Sequence, residues 1–182
     1  MTPIVKRRLA GFAIALAVFA LDQWVKWFVV KHFHLGSVGD SVDLLPFFAL
    51  TRTHNYGVSL GMFTAHSTEM QLALIGITGA IALGVAVWIL RERKMGDIVA
   101  LSLVLGGALG NILDRLTNNY VLDYADLHFG EIRPFLIFNV ADAAITIGVL
   151  IVLARSLFMR EKPAHEQSPP ETETAPDAAE TN

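Results

Sequence analysis

Long apolar blocks constrain this chain more than any other feature. A bilayer core about 30 Å thick needs about 20 mostly apolar residues per helix. Four segments meet that length: Leu9–Val30, Leu72–Leu90, Ile98–Leu116 and about Phe138–Phe158. The second carries no charge, the third is polar only towards its end, and the first is interrupted by Asp22 and Lys26. Of the 182 residues, 53% are apolar, and the excess over a soluble domain is concentrated in these blocks. The expected fold is an all-α membrane protein of four transmembrane helices.

The first block also resembles a signal peptide, because Lys6-Arg7-Arg8 precedes it and Ala20 offers a cleavage point. Apolar residues run on through Trp24, Trp27, Phe28, Val29 and Val30, which outruns a signal h-region. Positive charge sets topology. Lys6–Arg8, then Arg91, Arg93 and Lys94, then Arg155, Arg160 and Lys162 all fall on one side of a four-span chain. Both termini are therefore expected in the cytoplasm, with loops 31–71 and 117–137 on the opposite side. Within the first loop, Val42–Thr53 reads as one or two short strands around Pro46.

The net charge of −3 is set by the segment 161–182, which holds six acids and one lysine. Rich in Pro, Glu, Thr and Ala, it reads as a disordered tail behind a membrane domain of residues 1–160. With no cysteine, the chain has no thiol nucleophile, disulfide or thiolate metal site.

A carboxylate at membrane depth costs about 2.5–3.5 kcal/mol, so it is rarely decorative. Here several polar groups share one depth. Asp22 and Lys26 lie four apart on the first helix; Asn111, Asp114 and Arg115 share a face of the third, where Arg115 is expected to pair with Asp114; Asn139 and Asp142 share a face of the fourth, followed by Thr146. Asp22 and Lys26 read either as a self-neutralising pair with the lysine snorkelling outward or as part of a site. Gly106 and Gly110 permit close helix packing, and Gly76, Ala80 and Gly84 are expected to do the same in the second span.

Candidate chemistries narrow quickly. The histidines show no zinc-protease spacing, so no metal is expected. Ser102 has no lysine at its depth. Paired carboxylates remain, drawn from Asp123 or Asp126 in the loop and Asp142 in the fourth span. Two close aspartates share a proton: one activates water, the other polarises the carbonyl.

Five motifs, in order, then resemble the lipoprotein signal peptidase (signal peptidase II) family: Leu21-Asp22-Gln23 with Lys26; Asn55-Tyr56-Gly57; Gly106-Gly107-Ala108-Leu109-Gly110-Asn111 with Asp114-Arg115; Val121-Leu122-Asp123-Tyr124; and Phe138-Asn139-Val140-Ala141-Asp142. The resemblance covers about residues 8–158. It implies a catalytic pair at Asp123 and Asp142, which sets Asp126 aside. It implies a supporting shell of Asp22, Lys26, Asn55, Gly107, Asn111, Asp114, Arg115 and Asn139, and a small extramembrane β-element around Asn55. It further implies a bacterial inner-membrane aspartic peptidase, active near the periplasmic face, that cleaves diacylglyceryl-modified prolipoproteins before the lipidated cysteine. Such an enzyme needs no cofactor, contacts membrane lipid and not nucleic acid, is expected as a monomer, and is a target of globomycin. Tyr124 stands where the family often has Phe, and Val58-Ser59-Leu60 depart from its pattern after Gly57.

A small proton- or ion-coupled transporter is the rival class, since membrane carboxylates also serve as relays. A polar route across the membrane is missing from the second and fourth spans, which argues against it. A non-catalytic helical adaptor is a second rival, whose polar face should tolerate change.

Overall fold

The computed structural model describes residues 1–57, 68–130 and 132–158. The tail from Glu161 and the Val58–Leu60 departure lie outside the described residues. The elements are α1 (Pro3–His32), β1 (Ser41–Leu45), β2 (Phe48–Asn55), α2 (Thr68–Arg91), α3 (Met95–Asn118), β3 (Val121–Leu127) and α4 (Val140–Phe158).

The first helix begins at Pro3, whose fixed φ suits the opening turn. The third ends at Asn119 in the left-handed region, φ 63°, a conformation Asn tolerates better than most residues. Between α2 and α3, the Glu92 carboxylate accepts the N–H groups of Arg93 (2.7 Å) and Lys94 (2.9 Å) and closes the turn. Arg7 Nη1 donates to the Arg93 carbonyl, and Arg155 Nε pairs with Asp97 at 2.6 Å. The start of α1, the α2–α3 link and the end of α4 therefore meet at one end of the bundle.

Helix α3 is the centre and packs against α1, α2 and α4. Its glycines make this possible. A Cβ on Gly106 would lie 2.5 Å from the Ala15 carbonyl of α1, and one on Gly107 would fall on the Ala141 carbonyl of α4. The parallel expectation for α2 fails. Gly76, Ala80 and Gly84 are on its exposed face, with nothing near either glycine's Cβ position. Ala82 and Ile89, with Val85 and Ala86, pack on α3's Ile98, Leu101 and Leu105 instead. A different face of α2, two alanines with Val85 and Ile89, makes that contact.

Among the described residues, three helices, α2, α3 and α4, are long and apolar enough to cross a membrane, where four were expected. Although α1 is 30 residues long, its basic start and Asp22 and Lys26 dilute its apolar stretch.

The hairpin β1–β2 turns at Pro46-Phe47, as expected. What reads as loop in the sequence is β3, which completes an antiparallel sheet of order β1-β2-β3. Thr53 pairs with Asp123 and Ala49 with Asp126, with a register shift between. Val29, Leu35, Leu50, Tyr124 and Ala125 form a core that fixes the sheet to the far end of α1.

Candidate active site

The fourth helix starts with a reciprocal cap. Asn139 Oδ1 accepts the Asp142 N–H (2.9 Å), and Asp142 Oδ2 accepts the Asn139 N–H (3.3 Å). This capping box satisfies two orphan donors and locks the Asp142 side chain against the first turn. The amide of Asn139 is then aimed outward, and its Nδ2 donates to Asp123 Oδ1 at 2.7 Å. One asparagine thus joins both aspartates.

Strand β3 presents Asp123 and Asp126 to opposite faces, because residues three apart alternate. Asp123 Oδ2 accepts Asn55 Nδ2 from β2 at 2.9 Å. Asn55 Oδ1 accepts the Gly57 N–H (2.8 Å), which holds the amide in that orientation; Gly57 has φ +83°, a conformation that favours glycine. Asp126 turns away, to the Thr51 hydroxyl (3.2 Å) and Arg133 Nε (3.2 Å).

Asp142 Oδ1 accepts Asn111 Nδ2 at 2.8 Å. Its side chain is half-buried and lines an apolar cavity of about 540 Å³ with Leu127, Phe135, Leu136, Phe138 and Ile147. Asp123 is only 2% exposed. Burial, then the neighbouring Asp142 charge, pushes its carboxyl up to about 7, against the opposing pull of the Asn55 and Asn139 hydrogen bonds.

Beneath this pair lies a buried charge triad. Lys26 Nζ meets Asp22 Oδ2 at 2.7 Å and Asp114 Oδ2 at 2.8 Å, and is 4% exposed. The lysine does not snorkel. Asp22 Oδ1 accepts the Ala141 N–H of α4 (2.9 Å), and Asp114 Oδ2 accepts the Leu122 N–H of β3 (3.1 Å). These two carboxylates therefore grip the backbones that carry Asp142 and Asp123. Gly110 leaves room for Asp22, whose Oδ2 would lie 2.5 Å from a Cβ there.

Asp22, Lys26, Asn55, Asn111, Asp114, Asp123, Asn139 and Asp142 thus form one network, and Gly107 lets α4 close on it. Arg115 was expected to pair with Asp114. Its Nη1 instead donates to the Asn111 carbonyl (3.3 Å) and its Nε has no hydrogen-bond partner, because adjacent helical residues diverge. Gln23, the last residue of the Leu21-Asp22-Gln23 motif, also joins the network, a role its motif did not imply. Its Nε2 donates to Asp114 Oδ1 (3.0 Å) and Asp22 Oδ2 (3.1 Å). The signal available was its place beside Asp22. Among the described residues, no three His, Asp or Glu side chains gather as a metal site.

The profile of the family described as "Signal peptidase (SPase) II" matches residues 14–158. The chain is 48% identical to the lipoprotein signal peptidase of Sphingopyxis alaskensis over 88% of its length and 92% of the relative's. It is 49% identical to that of Rhizorhabdus wittichii, over 85% and 89%. A solved bacterial membrane enzyme structure, determined by the in meso method at 1.9 Å, is similar at TM-score 0.70 and 29% identity, covering 82% of this chain and 93% of that one. The chain belongs to the signal peptidase II family, membrane aspartic peptidases that process prolipoproteins.

Proposed function

We propose that Asp123 and Asp142 are the catalytic pair of a peptidase that removes the signal peptide from diacylglyceryl-modified prolipoproteins, cutting before the lipidated cysteine. The observation that carries this is the shared asparagine: Asn139 bonds Asp123 at 2.7 Å and is locked reciprocally to Asp142. Two carboxylates held together in this way share one proton. The raised value of Asp123, about 7, supports placing the proton on it at and below neutral pH. Asp142 takes a proton from water as the oxygen adds to the scissile carbonyl. Asp123 donates a hydrogen bond to that carbonyl, and the proton taken up by Asp142 passes to the leaving amine as the C–N bond breaks, which returns the pair to its single proton.

Asn55, Asn111 and Asn139 orient the pair, and Asp22, Lys26 and Asp114 hold its backbones. Arg115, with an unused buried Nε, orients the substrate. The apolar cavity beside Asp142 suits a substrate that arrives from lipid. No support exists for the transporter alternative, since the family is one of peptidases.

Helix α1 serves as a fourth span. Asp22 is 0% exposed and faces α3 and α4, while Leu9, Leu16, Leu21, Trp24 and Trp27 form an exposed apolar face for lipid. The basic end of the bundle then faces the cytoplasm, and the sheet and carboxylates lie at the periplasmic face of the bacterial inner membrane. Residues 1–160 act as one peptidase domain, as a monomer.

The test is cleavage of a diacylglyceryl-modified prolipoprotein by purified protein in lipid. Asp123→Asn and Asp142→Asn are each expected to abolish turnover while retaining the fold. Near-normal cleavage by either variant sinks the assignment.

A further inference from the structure

A second cavity, about 250 Å³, opens at the sheet end between α1, the last turn of α3 and the sheet. Lys26, Trp27, Lys31, Arg52, Asp114 and Tyr120 line it. Neither Asp123 nor Asp142 does. Sites that enclose drug-sized ligands run to about 300–1,000 Å³, so this one takes a small group and not a peptide.

Its charge is one-sided. Lys26 is spent on the buried carboxylates of Asp22 (2.7 Å) and Asp114 (2.8 Å) and adds no free positive charge to the cavity. Asp114 is further satisfied by the Leu122 N–H and Gln23 Nε2, so it presents little free negative charge. Lys31 and Arg52 are left. Among the described residues, neither has a carboxylate within salt-bridge distance. Arg52 is also pre-set. Its Nη1 donates to the Leu35 and Gly36 carbonyls, each at 2.8 Å, which fixes the guanidinium plane without discharging it. Its other bonds are long: Nη2 to the Tyr120 hydroxyl at 3.4 Å and Nε to His54 Nε2 at 3.3 Å. Burial and Arg52 itself hold His54 below its ordinary value, so the ring stays neutral and can accept. Among the described residues one Nη2 N–H has no acceptor, and with the long, exchangeable Nη2 and Nε bonds it leaves a positioned, charged edge for a phosphate oxygen.

The surroundings indicate where the phosphate comes from. Trp27 lines the cavity and is 60% exposed, and Trp24 one turn earlier is exposed too. Such indole side chains mark headgroup depth in a bilayer, and basic pockets between membrane helices take lipid headgroups. We propose that this cavity binds the phosphate of an anionic glycerophospholipid headgroup, held by Arg52 and Lys31. The site rests on α1 lying against lipid and is independent of the aspartate pair.

Native mass spectrometry of the full-length protein in non-ionic detergent tests it. The probes are dioctanoyl phosphatidylglycerol, dioctanoyl phosphatidylcholine and inorganic phosphate. One equivalent of phosphatidylglycerol is expected to bind, with the other two probes weaker. Lys31→Gln, at an exposed position that the fold does not depend on, is expected to weaken it about fivefold. Arg52→Lys, which keeps the charge but loses the fork, should also weaken it. Lys6→Gln at the other end of the bundle should leave it unchanged. Unchanged retention by Lys31→Gln overturns the site. Equal binding of phosphatidylcholine, or displacement of the lipid by equimolar inorganic phosphate, overturns the anionic-lipid assignment. Because each readout is binding, a failure here leaves the peptidase reading intact, and loss of turnover in the aspartate variants leaves this one intact.

Discussion

Lys26 is the residue whose loss should reveal most about how this site is built. It is the one cation between two buried carboxylates, Asp22 at 2.7 Å and Asp114 at 2.8 Å. Lys26→Met keeps the length and apolar stem of the side chain and removes only the charge. Asp22 and Asp114 then face each other across a dry gap. Removing one partner of a buried pair costs about 3–5 kcal/mol, because the remaining charge is left uncompensated. For a protein of this size about 1 kcal/mol moves the melting temperature by roughly 2–4 °C, so the loss should be about 6–20 °C. Asp22→Asn provides the control. It leaves Lys26 paired with Asp114 and an amide that can still accept the Ala141 N–H, so its cost should be smaller. Thermal unfolding in detergent, followed by tryptophan emission, measures both. Turnover should fall with Lys26→Met as well, since Asp22 and Asp114 hold the backbones of α4 and β3. A melting point within 2 °C of wild type, or a cost no greater than that of Asp22→Asn, would refute the reasoning.

Gly107→Ala should destabilise by about 1–3 kcal/mol and cut turnover by up to about 100-fold, as the new Cβ drives the Ala141 carbonyl and the start of α4 away. Gly76→Ala, with open space at its Cβ position, should instead stabilise by roughly 0.5–1 kcal/mol; matching melting curves for the two variants would contradict the packing argument. Arg133→Ala leaves Asp126, 1% exposed, with the Thr51 hydroxyl as its one side-chain donor among the described residues. It should raise KM more than it lowers kcat, since Pro134–Phe138 supply much of the apolar cavity wall. The pH profile of kcat/KM should fall above about 7, where Asp123 gives up the shared proton. Stability follows the same group. Its folded value lies above its ordinary 3.8, so the folded state holds the extra proton and stability declines as pH rises from 3.8 through about 7. Asp123→Asn should flatten that slope in melting temperatures taken across the range.

Much of the fold was legible because lipid imposes a simple rule of length and polarity, and α2, α3 and α4 fall near their expected limits. The hairpin around Pro46 was legible from its β-branched and aromatic residues. Strand β3 was not. Six of its seven residues are buried, so both faces are covered and no apolar–polar alternation marks it. Two acids in that short run read as loop, when each is buried against a different set of donors. Small-residue spacing had the same limit. It says that a helix has a flat face, and α3 used that face while α2 turned it outward. Within the site, spacing along each helix placed Asp22 with Lys26 correctly. It paired Asp114 with its neighbour Arg115, because the true partner lies across a helix interface, where spacing along one helix carries no information.

The donors around the two aspartates are all neutral, and this choice has a chemical consequence. Asn55 and Asn139 serve Asp123; Asn111 and the Asn139 N–H serve Asp142. An amide can orient a carboxylate without cancelling its charge. Lysine or arginine in the same places would let both aspartates ionise together, and the acid that the proposed mechanism uses would be lost. The chain does place a lysine nearby, but it is committed to Asp22 and Asp114, with Asn111 Oδ1 at 3.5 Å between it and Asp142. Lys26 and Arg115 act on the pair only through space, so the repulsion between Asp123 and Asp142 still raises Asp123, as the proposed shared proton requires. The charged triad supplies rigidity, the asparagines supply direction, and neither places a cation in hydrogen-bond contact with the pair.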